Sequence, residues 1–195
     1  MEDGVIKFRC DWIKDKPLPL SLLRDIIHWR NHLFSLGLIG VDKNGIGFGN
    51  ISIRHNKNQF IITGSQSSIK EKADENDFTL VTSYDIKNNL IQCKGPVQAS
   101  SESLTHAAIY SACNDANAVI HIHKLDLWKK LINKIPTTPD YAEYGTPEMA
   151  LEIMKLFENS VILKNKILVM GGHPEGIISY GKDFEEAINT LNYYK

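Results

Sequence analysis

The segment Ala118-Val119-Ile120-His121-Ile122-His123 sets two imidazoles two residues apart. On a β-strand, successive side chains point to opposite faces. His121 and His123 would then share one face, and Ile120 and Ile122 would bury the other. Two neutral imidazoles side by side can hold one metal ion. A hydrogen-bonded pair of histidines at a strand end fits the same pattern. A catalytic metal centre usually takes three protein ligands and keeps one position open. The remaining histidines are His28, His32, His55, His106 and His173. His28 and His32 lie four residues apart on a predicted helix and suit its surface or an interface. His55 falls in a polar turn. His106 and Tyr110, also four apart, suit structural support or an outer shell. His173 follows the apolar run Ile167–Met170 and the pair Gly171-Gly172. Paired glycines let backbones approach closely at a strand end. His173 is therefore the strongest third ligand on local grounds, against the plainer reading of a loop histidine.

A second group of residues suits an anion. Ser100-Ser101-Glu102 stands at a predicted helix start, where backbone N–H groups and hydroxyls attract negative charge. Glu102 taken alone reads as a favourable first-turn acid. Gly49-Asn50-Ile51-Ser52 and Ile62-Thr63-Gly64-Ser65 put small polar groups at strand ends. Each of these is, by itself, a turn signal.

The elements that must position these groups follow from periodicity and punctuation. Residues 1–18 read as an extended or irregular lead-in. Ser21 would cap a helix carrying an apolar stripe from Leu22 to Leu36, ended by Gly37 and Gly40. Strands are expected over 46–53 and 59–63 around a turn at 55–58, and over 77–83 and 89–92 around another. A helix over 102–113, a strand over 118–123 and a short helix over 125–133 come next. A longer helix over 146–159 enters through Pro147. Strands over 167–170 and 176–180 precede a closing helix over 183–193, capped by Asp183. This order lacks a regular βαβ alternation, which favours a mixed, largely antiparallel sheet with helices on its faces.

Composition narrows the classes. The chain of 195 residues is 43% hydrophobic and 23% charged, enough for one core and one domain over residues 1–195. A formal net charge of -1 with no basic cluster argues against a nucleic-acid partner. No apolar run approaches the roughly 20 residues of a membrane span. Cys10, Cys93 and Cys113 form no CxxC pair and suit free thiols in a reducing compartment. The acidic start Met-Glu-Asp-Gly has no apolar core of a secretion signal, so a cytoplasmic protein is expected.

Taken in order, these pieces resemble the class II aldolase/adducin family. The resemblance runs through Gly49-Asn50-Ile51-Ser52-Ile53-Arg54 and Phe60-Ile61-Ile62-Thr63-Gly64-Ser65. It continues through Ser100-Ser101-Glu102, His106, Tyr110 and the stretch Asp115 to His123. It ends with Tyr144-Gly145-Thr146, Glu148, His173, Gly176, Gly181 and Glu186-Ala187. It covers roughly residues 20–195. It implies an α/β fold, a three-layer α/β/α sandwich around a mostly antiparallel sheet. It implies one divalent ion on His121, His123 and His173, zinc first, with manganese, iron or cobalt as alternatives. It implies an acid/base carboxylate at Glu102, and a sugar phosphate held by Asn50, Thr63, Gly64, Ser100 and Ser101. It also implies a homo-oligomer, a tetramer first.

The activity implied is reversible aldol cleavage of a small ketose phosphate through an enediolate. A methylthiopentulose-phosphate dehydratase comes second, and a 4-epimerase third. Glutamate at 102 resembles the aldolase and dehydratase members, whereas the epimerases carry aspartate. A non-catalytic module like the adducin head is the alternative from a different class. The sequence departs from the family at Gly172-His173-Pro174-Glu175-Gly176, where many relatives read Asn-His-Gly. The longer loop makes Glu175 a reserve oxygen ligand. Tyr141 and Tyr144 are the tyrosines nearest the expected site.

Overall fold

The computed structural model describes residues 5–195. In chain order the elements begin with strand β1 (Arg9–Lys14), helix α1 (Leu20–Ser35) and a small hairpin, β2 (Gly40–Val41) and β3 (Gly47–Phe48). Four strands follow: β4 (Asn50–Asn56), β5 (Gln59–Thr63), β6 (Phe78–Asp85) and β7 (Leu90–Gly95). Then come α2 (Ser103–Ala112), β8 (Ala118–His123), α3 (Leu125–Leu131), α4 (Pro147–Leu156) and α5 (Ser160–Asn165). The chain closes with β9 (Ile167–Val169), β10 (Gly176–Gly181) and α6 (Phe184–Tyr194).

Eight strands form one sheet in the order β1-β7-β6-β5-β4-β8-β10-β9. Every neighbouring pair is antiparallel except β1 with β7. The expected lead-in over 1–18 is thus corrected for residues 9–14, which form an edge strand. Cys10 and Trp12 turn inward and pack on the core, while Arg9, Asp11 and Ile13 face water. The Trp12 indole N–H also donates to the Gly95 carbonyl at 2.9 Å. Charged residues at alternate positions hid this strand in the sequence. Cys10, Cys93 and Cys113 are free thiols.

Helices cover both faces of the sheet. On one face, Leu104, Ala108, Met149 and Ile153 of α2 and α4 pack on Phe60, Ile62 and Val119. On the other, Leu23, Ile26 and Leu33 of α1 and Phe184 and Leu191 of α6 pack on Ile51, Ile61, Ile120 and Ile122. This is the three-layer α/β/α sandwich that the resemblance implied. Strand β8 lies inside the sheet between β4 and β10, and the alternation of its side chains divides them between the two covers. Ala118, Ile120 and Ile122 serve the α1/α6 face, and Val119 serves the α2/α4 face.

Several boundaries differ from expectation. Helix α1 begins directly after Pro19, with no side-chain cap, so Ser21 lies inside its first turn. The expected helix over 146–159 stops at Leu156, and Asn159 then caps a separate α5 by accepting the Val161 N–H at 3.0 Å. Asp183 caps α6 as expected, accepting the Glu186 N–H at 2.8 Å. Among the described residues no helix is long and apolar enough to cross a membrane.

Ile120 is fully buried behind the two histidines of β8. Ile120→Ala should destabilise the fold by about 2–5 kcal/mol, because the removed atoms leave a cavity between sheet and helices. Denaturant unfolding measures this. A loss below about 1 kcal/mol would mean that the site rests on some other support.

Candidate metal centre

The register of the sheet assembles the first part of the site. Strand β4 pairs Asn50 with His121, and β10 pairs Ile178 with His121 and Gly176 with His123. Both imidazoles stand on the face covered by α2 and α4. His173 comes from the turn between β9 and β10, fixed by its N–H to the Met170 carbonyl at 3.3 Å and its carbonyl to the Gly176 N–H at 2.9 Å. The glycines before it are required by crowding. A Cβ on Gly171 would stand 2.1 Å from the Thr138 carbonyl oxygen, and one on Gly172 2.0 Å from that of Ala142. A Cβ on Gly176 would meet the His173 ring at 2.6 Å. The backbone is pressed against its neighbours, and this aims His173 at the other two histidines.

The three rings converge. One ligand nitrogen from each of His121, His123 and His173 lies within 4.8 Å of the others. His123 Nε2 and His173 Nε2 are 3.0 Å apart. Phe48 stacks on His123 with ring centroids 5.4 Å apart, and Tyr144 lies 4.8 Å from the His173 ring. His121 Nδ1 is 3.2 Å from the Asn50 side-chain amide, and His121 Nε2 is buried with no hydrogen-bond partner. An asparagine can present its amide oxygen as well as its NH₂. With the oxygen toward Nδ1–H, the lone pair of Nε2 faces the cluster. Three imidazoles of this kind suit a single divalent ion.

Burial also sets their charge. Desolvation pushes His123 down to about 4. His121 and His173 are driven well below the ordinary histidine range, first by burial and then by neighbouring positive groups. All three are therefore neutral near pH 7. The 3.9 Å approach of Glu102 Oε1 to His173 Nε2 is accordingly a contact with a neutral ring and not an ion pair. Glu102 immediately precedes α2 and is 2% exposed, and its Oε2 accepts from the Thr105 hydroxyl at 2.6 Å. Beneath it, His106 Nδ1 lies 2.6 Å from the Ser52 hydroxyl, which lies 2.8 Å from the Tyr110 hydroxyl. His106, pushed to about 3 by burial, is a structural member of that network.

The expected anion residues gather beside the histidines, with one exception. Asn50, Gly64, Ser100 and Ser101 line the same cleft as Glu102 and the three histidines. The Ser100 N–H reaches the Thr63 carbonyl at 3.2 Å, and Gly64 bridges to Ala99. Gly64 is required there, since a Cβ would meet Val97 at 2.3 Å. The Thr63 hydroxyl instead pairs with the Ile51 backbone and stays outside the cleft wall. The reason is geometric: alternation along β5 sets Thr63 on the same face as Ile61, opposite to the histidines. Ser65, Gln66 and Ser68 also line the cleft. They sit on a loop clamped by the fully buried Arg30, whose guanidinium donates to the carbonyls of Ser67, Lys70 and Glu71. No periodicity marks such a loop, so sequence reasoning passed over Gln66 and Ser68.

Of the two tyrosines, Tyr144 lines the cleft, while Tyr141 is 65% exposed and bonds Glu152. Lys7 Nζ stands 3.8 Å from the Tyr144 ring centroid and 3.1 Å from Glu143, a cation that sequence reasoning missed because it precedes the expected fold. Glu175 stands outside the histidine cluster. It lines an adjoining cavity instead.

Three imidazoles that could hold a metal ion, with a buried carboxylate alongside, thus share one cleft of a three-layer sandwich. The family described as class II aldolase and adducin N-terminal domain matches residues 43–195. The L-fuculose phosphate aldolase of Methanococcus maripaludis (strain C7) is 31% identical over 155 residues, covering 71% of this chain and 76% of that one. The enzyme of the same name from Methanocaldococcus jannaschii is 30% identical, over 71% and 75%. A sugar-phosphate aldolase structure from Thermotoga maritima superimposes with a TM-score of 0.65 at 17% identity, covering 90% of each chain. The chain belongs to the class II aldolase and adducin family, and it is an enzyme of the class II aldolase type.

The neutral cluster has a consequence for stability. An unfolded histidine titrates near about 6.5. His106 at about 3 and His123 at about 4 titrate lower in the fold. Between those values and 6.5 the unfolded chain binds more protons, so stability falls as pH falls through that window. Metal-free protein should be fully stable above about pH 7 and lose up to ~1.4 kcal/mol per pH unit for each such histidine below about 6.5. Urea unfolding between pH 7.5 and 5 reads this. A flat profile would mean that the imidazoles are charged or exposed.

Proposed function

We propose that this chain is a metal-dependent lyase that reversibly cleaves a small ketose phosphate by a retro-aldol reaction. The observation that carries this reading is the convergence of three neutral imidazoles within 4.8 Å, His121 and His173 buried and His123 partly so, with Glu102 alongside. The names of the curated relatives support a ketose phosphate as substrate. Zinc comes first among metals on family resemblance, and an all-imidazole donor set suits it, as it does other divalent ions. A homotetramer belongs to the same proposal, on family resemblance alone.

Bound on His121, His123 and His173, a divalent ion would act as a Lewis acid toward the ketose carbonyl and the charge of an enediolate. The chain's own residues do the rest. Asn50 orients His121. Glu102 moves the proton at the reacting carbon, held in position by Thr105. Asn50, Ser100 and Ser101 offer neutral donors to the phosphate, and Gly64 leaves room for its approach. Among the described residues the lining of this cleft includes no lysine or arginine, and Lys7 stands behind its wall at Tyr144. Fixing the phosphate orients the reacting end. Dehydration or epimerisation of a sugar phosphate could use the same groups, and the relatives' names weigh against both. An adducin-head-like scaffold has no need of three neutral imidazoles gathered around a carboxylate.

Elemental analysis should find near one divalent ion per chain, lost in His121→Ala/His123→Ala. Glu102→Gln should keep the ion and lower kcat by roughly 10²–10⁴-fold on a cleaved ketose phosphate. Protein that takes up no metal after divalent ions are added would end the lyase reading. Full turnover by Glu102→Gln would remove Glu102 from the chemistry.

A further inference from the structure

The histidine cleft is narrow, with a volume of about 30 Å³. That is far below the roughly 300–1,000 Å³ of typical ligand pockets. A second cavity of about 520 Å³ adjoins it, lined by Asp42, Lys43, Phe48, His123, Pro174 and Glu175. The two share His123. Phe48, stacked on that ring, forms an apolar wall of the larger one. A ketose phosphate with its phosphate among the serines of the first cavity must extend its carbon chain beyond it, and the second cavity borders the same His123.

Glu175 marks this second cavity in another way. Its φ is +74°, in the left-handed region that favours glycine. A carboxylate side chain kept at such a position, against the conformational cost, points to a use. Its backbone is pinned there, since the Glu175 carbonyl accepts the Lys124 N–H at 3.0 Å. Asp42 has its carboxylate committed to its own turn, accepting the Asn44 and Ile46 N–H groups at 2.8 Å each. Glu175 is thus the carboxylate of this cavity available to a ligand. The hydroxyl and amide donors of the first cavity suit the phosphate, and Glu175 in the second, which Lys43 also lines, can accept from sugar hydroxyls.

We propose that the Asp42–Glu175 cavity is the subsite for the aldehyde half of the substrate, and that Glu175 is a specificity-determining residue reading its hydroxyl groups. This rests on the aldolase reading above. In that reaction a ketose 1-phosphate breaks between its third and fourth carbons. The hydroxyl proton on the fourth carbon leaves, that carbon becomes the aldehyde, and a proton returns to the third carbon to give dihydroxyacetone phosphate. Only the intact ketose phosphate reaches the second cavity, while dihydroxyacetone phosphate ends at the first.

The test is calorimetric titration of dihydroxyacetone phosphate and of L-fuculose 1-phosphate into metal-loaded protein. Glu102→Gln serves as the silent background, with and without Glu175→Gly or Glu175→Gln. Both added substitutions should weaken the ketose phosphate roughly tenfold or more, as expected for a lost hydrogen bond to a charged group, and leave dihydroxyacetone phosphate within about twofold. Glu175→Gly should also raise the thermal midpoint, by roughly 2–4 °C, since glycine relieves the backbone. Equal weakening of both ligands, or of neither, overturns the subsite while the aldolase reading stands. If neither compound binds the background protein, the aldolase reading fails and the subsite fails with it.

Discussion

Water is kept away from His121 and His173 and largely from His123, and most of what the site can do follows from that exclusion. A histidine in water near neutral pH is partly protonated, and a proton on the ring competes with a metal ion. Here the rings are packed between the sheet, the turn before β10 and Tyr144, so each imidazole retains a lone pair. Crowding them together reinforces this, because protonating more than one would set positive charges side by side. The same exclusion raises the cost of any misplacement, since a buried donor without a partner is expensive. Asn50, Thr105, Ser52 and Tyr110 answer that cost one bond at a time around the cluster.

Holding the rings so closely requires a backbone that can be pressed flat against its neighbours. Glycine supplies this at Gly171 and Gly172, where any side chain would overlap the carbonyls of the 138–142 segment. The sheet supplies the remainder. Because β8 lies between β4 and β10, its two histidines inherit their spacing from the pleat, and Ile120 and Ile122 anchor that pleat from the opposite face. Metal-site precision and core packing are therefore one problem in this strand.

Much of this was legible in the residues. The alternation of Ala118–His123 gave both the strand and the shared face, because a period of two has a single structural meaning when one face is apolar. Gly171-Gly172 pointed to a close approach before His173. The signal failed where tertiary contacts override local pattern. Arg9–Lys14 carries charges at alternate positions and pairs in parallel with a strand some 80 residues away, so nothing local announces it. Gln66 and Ser68 reach the cleft only because Arg30, far off on α1, ties down their loop. Thr63 looked equivalent to its neighbour Gly64, yet strand alternation turned its hydroxyl to the backbone of Ile51.

The division of labour between rigid and irregular parts follows from these contacts. His121 and His123 stand on an interior strand, and Glu102 stands at the start of a buried helix, where geometry is fixed by hydrogen-bonded neighbours. The walls that would read a substrate lie on turns: Ser65 to Ser68 on one side, and the β2–β3 hairpin with Pro174 and Glu175 on the other. Chemistry common to a family needs the first set to stay in place, whereas discrimination among sugars can change with the second at little cost to the core. The longer loop after His173, with a glutamate held in a glycine-like conformation, is a departure of that second kind. It alters the wall beside the imidazoles and leaves their convergence intact.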